Sequence, residues 1–185
     1  LQVFAAQGYL HASTDQIVKE AGISKGLLFH YFETKLGLYA FVYEYSARYM
    51  MLELGAVSVL EKNLFEVLRQ IEQAHVRAMR EYPYMQQFLN RAGTEDVSEA
   101  LLSIESIRNQ LEDTYARLYH NADYKDFPVG VDGKKVLNMI DLTIRGLMSE
   151  RIHEASFQPD LFYEEACGYI DLMEKIVGDR DRIQQ

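Results

Sequence analysis

Apolar residues recur three and four positions apart almost from one end of this chain to the other, and no stretch shows the two-residue alternation of a half-buried strand. Only three prolines interrupt the pattern, at Pro83, Pro128 and Pro159. An all-α fold is the expectation. With 48% hydrophobic residues in a chain of 185, there is enough apolar material to close a packed core.

The breaks between the periodic stretches suggest an order of helices. Helix 1 carries Val3 and Phe4 and ends at Gly8; because Leu1 reads as the middle of a helix, this element is expected to be truncated. A second helix starts at Ser13, which has the capping-box spacing to Gln16, and stops after Ala21 at Gly22, a residue free to take a left-handed conformation. Ser24 then caps a third, short helix that runs to about Tyr31. Longer helices follow. One begins at Leu36 with Leu38, Val42, Tyr45, Tyr49 and Leu52 along one side. Others are expected near 64–80, 85–90, 101–118, 134–154 and 160–177, with a Pro/Gly-marked loop over 124–133. The natural boundary lies near Lys35, between a small unit at 1–35 and a larger one at 36–185.

The stretch from Ser13 to Lys35, STDQIVKEAGISKGLLFHYFETK, is the most informative. Helices this short cannot stand alone and must pack steeply on one another. Ile17, Val18, Ala21, Ile23, Leu28 and Phe32 supply the apolar faces. Lys25, Gly26, Leu27, Phe29, His30 and Tyr31 are left outward on the third helix, a size and shape that enters a DNA major groove. AGISKGLLFHYFETK, together with the upstream FAAQGYLHAS, resembles the helix-turn-helix of the tetracycline-repressor (TetR) family. The likeness is close over the first quarter of the chain; further on it rests on helix order and on Tyr-Glu-Glu-Ala near the end.

The resemblance implies a three-helix DNA-binding domain followed by a helical effector-binding and dimerisation domain. By position it implies that Ser13 brings its hydroxyl to a phosphate, Lys25 reaches phosphate or a base edge, and Gly26 lets the backbone come close. His30 would sit in the groove, Tyr31 would donate to a phosphate, and Lys35 would anchor the far side of the backbone. Leu27 replaces the family's frequent Thr or Ala and could touch a thymine methyl or fill space. Phe29 replaces a frequent Tyr and lacks its hydroxyl.

The net charge of −9 does not oppose this, because residues 1–48 are formally neutral and the acidic excess lies downstream. Cys167 is the single cysteine, which suits a reducing, cytoplasmic setting. No apolar run approaches the roughly 20 residues that span a bilayer. Gly22-Ile23-Ser24-Lys25-Gly26 fits the spacing of a hydrolase nucleophile elbow, but a helical pattern precedes it where a strand is required. His11, His30, His75, His120 and His153 are scattered without a metal-ligand spacing. Neither an enzyme, a metal nor a cofactor is expected.

Downstream, the 134–154 and 160–177 helices are apolar nearly all round and need partners on more than one side. Ile140, Leu147, Phe162, Ala166, Tyr169 and Met173 are expected to pair with a second copy in a four-helix interface. Tyr84, Phe88, Tyr115, Tyr119 and Met139 are expected around a largely apolar cavity for an apolar or amphipathic small-molecule effector. The expected function is a ligand-responsive repressor, a homodimer that leaves a palindromic operator when an effector tilts the helix beginning at Leu36. Activation instead of repression stays open. So does a helical carrier whose helix-turn-helix no longer meets DNA.

Overall fold

The computed structural model describes residues 1–58, 60–123, 127–152, 154 and 157–178. Residues 124–126 of the expected loop, and His153, lie outside them. Among the described residues the chain is helical without strands: α1 (Gln2–His11), α2 (Thr14–Ala21), α3 (Lys25–Phe32), α4 (Lys35–Leu54), α5 (Leu64–Glu81), α6 (Met85–Ala92), α7 (Ser98–Asn121), α8 (Gly133–Arg151) and α9 (Pro159–Gly178). The all-α expectation holds.

Local chemistry sets most ends. Gly22 closes α2 in the left-handed conformation at φ 65°. The Ser24 hydroxyl accepts from the Leu27 amide at 3.1 Å and so caps α3. The capping box expected at Ser13 does not form, since its side chain makes no cap; the Gln16 amide oxygen instead accepts from Gln7 at 2.7 Å. Helix α1 continues past Gly8 across a kink, where that residue takes φ 71°.

The turn from α3 into α4 is tight. Glu33 takes φ 59° and ψ −47°, and the Thr34 amide donates to the Phe32 carbonyl at 2.5 Å, a γ-turn of positive φ that few non-glycine residues adopt. The Thr34 hydroxyl then caps α4 by accepting from the Gly37 amide at 2.9 Å.

Two apolar cores share α5. The first joins α1, α4, α6 and α7 to one side of α5, and its centre is aromatic. Phe4 meets Tyr39 edge-on at 5.1 Å, and Phe88 meets Tyr39 at 5.6 Å. The second lies between the other side of α5, α8 and α9, around Leu68, Ile140, Ala166 and Ile170. Phe4 and Leu28, before Lys35, and Met50 and Phe88, after it, belong to the same buried cluster. The short-helix head is therefore seated on the long-helix body through continuous packing.

The buried side of α4 differs from the expected stripe. Leu38 is buried, but Tyr45 and Leu52 face outward. Tyr39, Tyr43, Ala47, Met50 and Leu54 form the inner face. Apolar residues occupy two adjacent faces of this helix, and only the neighbours α5 and α7 select the inner one.

Candidate nucleic-acid interface and internal cavity

Leu28, 1% exposed, anchors α3, with Ile17 and Val18 of α2 partly buried against the same core. Ala21 and Ile23, expected in that packing, are exposed instead. The opposite face of α3 is open: Lys25, Gly26, Leu27, His30 and Tyr31 are all exposed, Tyr31 at 71%. The Tyr31 ring lies edge-on to His30 at 5.3 Å.

The charge on this face is easily released. Lys25 Nζ pairs with Asp15 at 2.8 Å, both side chains well exposed, and such surface pairs contribute only about 0–1 kcal/mol. The Ser13 side chain is exposed and is not used as a cap. Gly26 has an ordinary helical φ, and a β-carbon built there would come no closer than 4.0 Å to any neighbour, the Ser24 hydroxyl. The fold does not need glycine at this position, and a helix is weakened by about 0.5–1 kcal/mol for having one. Nothing inside the protomer accounts for the missing β-carbon.

Lys35 is used differently from the role implied by resemblance. Its ammonium donates to the carbonyls of Tyr9, Leu10 and Ala12 at 2.8, 3.3 and 3.3 Å and sits 4.5 Å above the Tyr9 ring. It ties the end of α1 to the start of α4. Lys35→Met is expected to lower the unfolding free energy by about 2 kcal/mol, because hydrogen bonds from a charged donor are lost and carbonyls are left unmet. Urea unfolding measures this. A side chain serving only phosphate would leave stability unchanged and reduce the salt dependence of DNA binding by about one counterion.

Behind the head, α5, α6, α7 and α8 enclose a cavity of about 480 Å³, within the range of small-molecule sites. Tyr115 and Tyr119 line it as expected from sequence. The other three expected lining residues lie elsewhere. Phe88 is buried in the aromatic core, Tyr84 precedes α6 and packs between the two cores, and Met139 faces outward. The apolar wall comes instead from Leu68, Leu89, Leu111, Ile144, Met148 and Phe162.

The cavity is also more polar than its aromatics suggest. Glu72 and His75, both buried, stand in a chain: His75 Nδ1 is 3.2 Å from Glu72 and Nε2 is 2.7 Å from the Tyr115 hydroxyl. Burial raises the Tyr115 pKa well above the ordinary phenol value, so this phenol keeps its proton and can donate to Nε2, leaving Nδ1–H for the carboxylate. Arg108, Gln86 and Glu72 are wall residues that sequence reasoning did not assign to the cavity. For Arg108 a signal existed, since it is the one charge interrupting the α7 stripe.

The expected interface residues divide. Ile140, Leu147, Phe162 and Ala166 are buried inside the protomer's second core, and Met173 is partly buried against it. Tyr169 is exposed. The outward apolar residues of α8 and α9 are Met139, Leu142, Leu161, Tyr169, Leu172 and Ile176. A helix apolar all round does not reveal from its periodicity which face its own core takes. Among the described residues no helix is long and apolar enough to cross a membrane.

Comparison with known proteins supports this picture. Residues 1–41 match the family model for bacterial regulatory proteins, tetR family. No curated protein matches the chain. Among solved structures, the chain is similar to the TetR family transcriptional regulator PfmR from Thermus thermophilus. That likeness has a TM-score of 0.59 at 20% identity and covers 93% of this chain and 92% of the other. A putative tetR family transcription regulator from Shewanella sp. PV-4 aligns over 100% of this chain and 84% of its own, at 21% identity and a TM-score of 0.44. The open helix-turn-helix face and the matched segment agree: residues 1–41 are similar to the N-terminal domain of bacterial regulatory proteins of the tetR family, and the chain as a whole shares the all-helical fold of PfmR.

Proposed function

We propose that this regulator is a homodimeric repressor that leaves a palindromic operator when a small molecule enters the cavity. One observation carries the DNA-binding part of the reading. Helix α3 is capped by Ser24 and anchored by Leu28, and it holds outward a face whose glycine, lysine and tyrosine the protomer itself does not require. Two such faces related by a two-fold axis would read half-sites one helical turn apart, roughly 34–36 Å, or a multiple of it.

Dimerisation is supported by the outer side of α8 and α9. Leu161, Tyr169, Leu172 and Ile176 share one side of α9, next to Met139 and Leu142 on α8. Gly146 and Gly168 lie mid-helix on the exposed surface, and a β-carbon at either would meet nothing within 4 Å. Mid-helix glycines weaken a helix, and here they leave room for a partner helix to approach. Wild-type protein is expected to sediment as a dimer at micromolar concentration. Leu172→Glu, which buries an unpaired carboxylate in that interface, should sediment as a monomer of unchanged helicity. A monomeric wild type would remove the dimer from the account.

The bonded route from cavity to head runs through α6. Its inner face gives Gln86, Leu89 and Asn90 to the cavity, and the segment after it grips α1. Glu95 accepts from the Tyr9 amide at 2.7 Å and Glu99 from the Tyr9 hydroxyl at 3.0 Å. Lys35 in turn holds the end of α1 to α4. An effector that favours one position of α6 would shift the head with it, provided it binds the two states unequally. The test is operator affinity with and without a bound ligand, and equal affinities would defeat the release mechanism.

A further inference from the structure

The cavity wall contains hydrogen-bonding atoms that the protein leaves unmet. Arg108 Nε is buried without a hydrogen-bond partner, and so is Oε1 of Gln86; both residues line the cavity. Unmet buried polar atoms cost roughly 1–3 kcal/mol each, a cost that a small rotation of either side chain toward a bound polar group would offset. Gln86 is only 8% exposed, and its amide nitrogen reaches Asn90 at 3.3 Å. A half-turn of the amide exchanges its oxygen and nitrogen, and if the Asn90 amide turns with it to keep their hydrogen bond, Gln86 presents a donor in place of its unmet oxygen.

The charges around the cavity are matched unequally. Glu72 is met by His75 at 3.2 Å, and Asp141 is paired with Arg145. Among the described residues Arg108 has only Glu112, whose carboxylate lies 3.5 Å from that same Nε without forming a hydrogen bond and whose side chain is 65% exposed, so that it is largely compensated by water. Tyr43 stands beside Arg108, whose charge acts on a phenol that burial pushes up to about 12; at neutral pH it is a donor. Its hydroxyl forms no hydrogen bond among the described residues. The cavity wall thus includes a guanidinium, a phenol and an amide with unused hydrogen-bonding capacity, while Leu68, Leu111, Ile144, Met148 and Phe162 supply an apolar part of a wall that is otherwise mixed with polar and charged residues.

We infer that the cavity takes an amphipathic carboxylic acid, its carboxylate held by Arg108 with Tyr43 and Gln86 and its hydrocarbon part laid along Leu68, Leu111, Ile144 and Met148. A guanidinium whose only ionic partner among the described residues is an exposed carboxylate can offer a bound carboxylate paired, charge-assisted hydrogen bonds. This rests on the reading of the cavity as the effector site and narrows it to one chemical class.

The test uses the whole dimeric chain and three probes of equal tail length: decanoate, decanol and decyltrimethylammonium. Calorimetric titration should show decanoate binding at least tenfold more tightly than either other probe. Arg108→Met should weaken decanoate by about tenfold or more, the loss of a charge-assisted pair, and leave decanol unchanged. Arg108→Lys should recover part of the loss. Equal binding of decanol and decanoate, preference for the ammonium probe, undiminished decanoate binding by Arg108→Met, or no binding of any probe would each overturn the inference. Operator affinity measured with the same probes separates the two levels. If decanoate binds through Arg108 but leaves operator affinity unchanged, the acid site stands and the release mechanism falls. If the ammonium probe binds and releases DNA, the release mechanism stands and the acid site falls.

Discussion

Gly37→Ala is expected to destabilise the protein by about 2 kcal/mol and to weaken operator binding beyond what the lost stability explains. A β-carbon at Gly37 would stand 2.4 Å from the Phe32 carbonyl oxygen, a main-chain atom that no side-chain rotation can remove. Overpacking of this kind costs about 1–3 kcal/mol, and the better helix propensity of alanine offsets only part of it. The conflict arises because the γ-turn at Glu33 folds the end of α3 back over the first turn of α4. Relief requires α3 to move relative to α4, and α3 carries the proposed DNA-reading face. Urea unfolding and operator titration of the same preparation measure both effects. An unchanged midpoint with unchanged affinity would mean that the turn has slack that its geometry does not show.

Gly26→Ala should move stability and DNA binding in opposite directions. The added methyl group meets only open space inside the protomer, so helix α3 gains about 0.5–1 kcal/mol. On DNA the same methyl group stands where the backbone should approach, and operator affinity should fall at least tenfold, or about 1.4 kcal/mol. A residue kept only for the fold would not give opposite signs, which makes the pair of measurements diagnostic. If affinity survives, the exposed glycine has no bearing on DNA and α3 is only a surface helix.

The parts of this fold legible in the sequence are those governed by local backbone chemistry. Gly22 and Ser24 define the turn and cap of the helix-turn-helix because a left-handed residue and an N-cap oxygen are needed wherever such a turn occurs. Tertiary choices were less visible. Tyr45 and Leu52 on α4 are as apolar as Tyr43 and Met50, and burial follows from neighbours that periodicity does not name. The same ambiguity set Met139 and Phe88 at the cavity and Ile140 on an outer face, whereas Met139 is exposed, Phe88 lies in the aromatic core and Ile140 in the second core. Lys35 is a subtler case. Its residue type fits a phosphate contact, yet three carbonyls at the end of α1 surround its ammonium. Arg108 was visible as a charge out of place on an apolar stripe, whereas Glu72 and Gln86 resemble ordinary polar positions until the helices are assembled around the cavity.

Selection of random duplex DNA on the purified protein, at two salt concentrations, tests the central claim most directly. The account predicts enrichment of a palindrome bound less tightly as salt rises, since phosphate contacts release counterions, and loss of that enrichment in Lys25→Ala and Tyr31→Ala. A folded, dimeric protein that enriches no sequence, or one that enriches the same sequence without Lys25 and Tyr31, would contradict it.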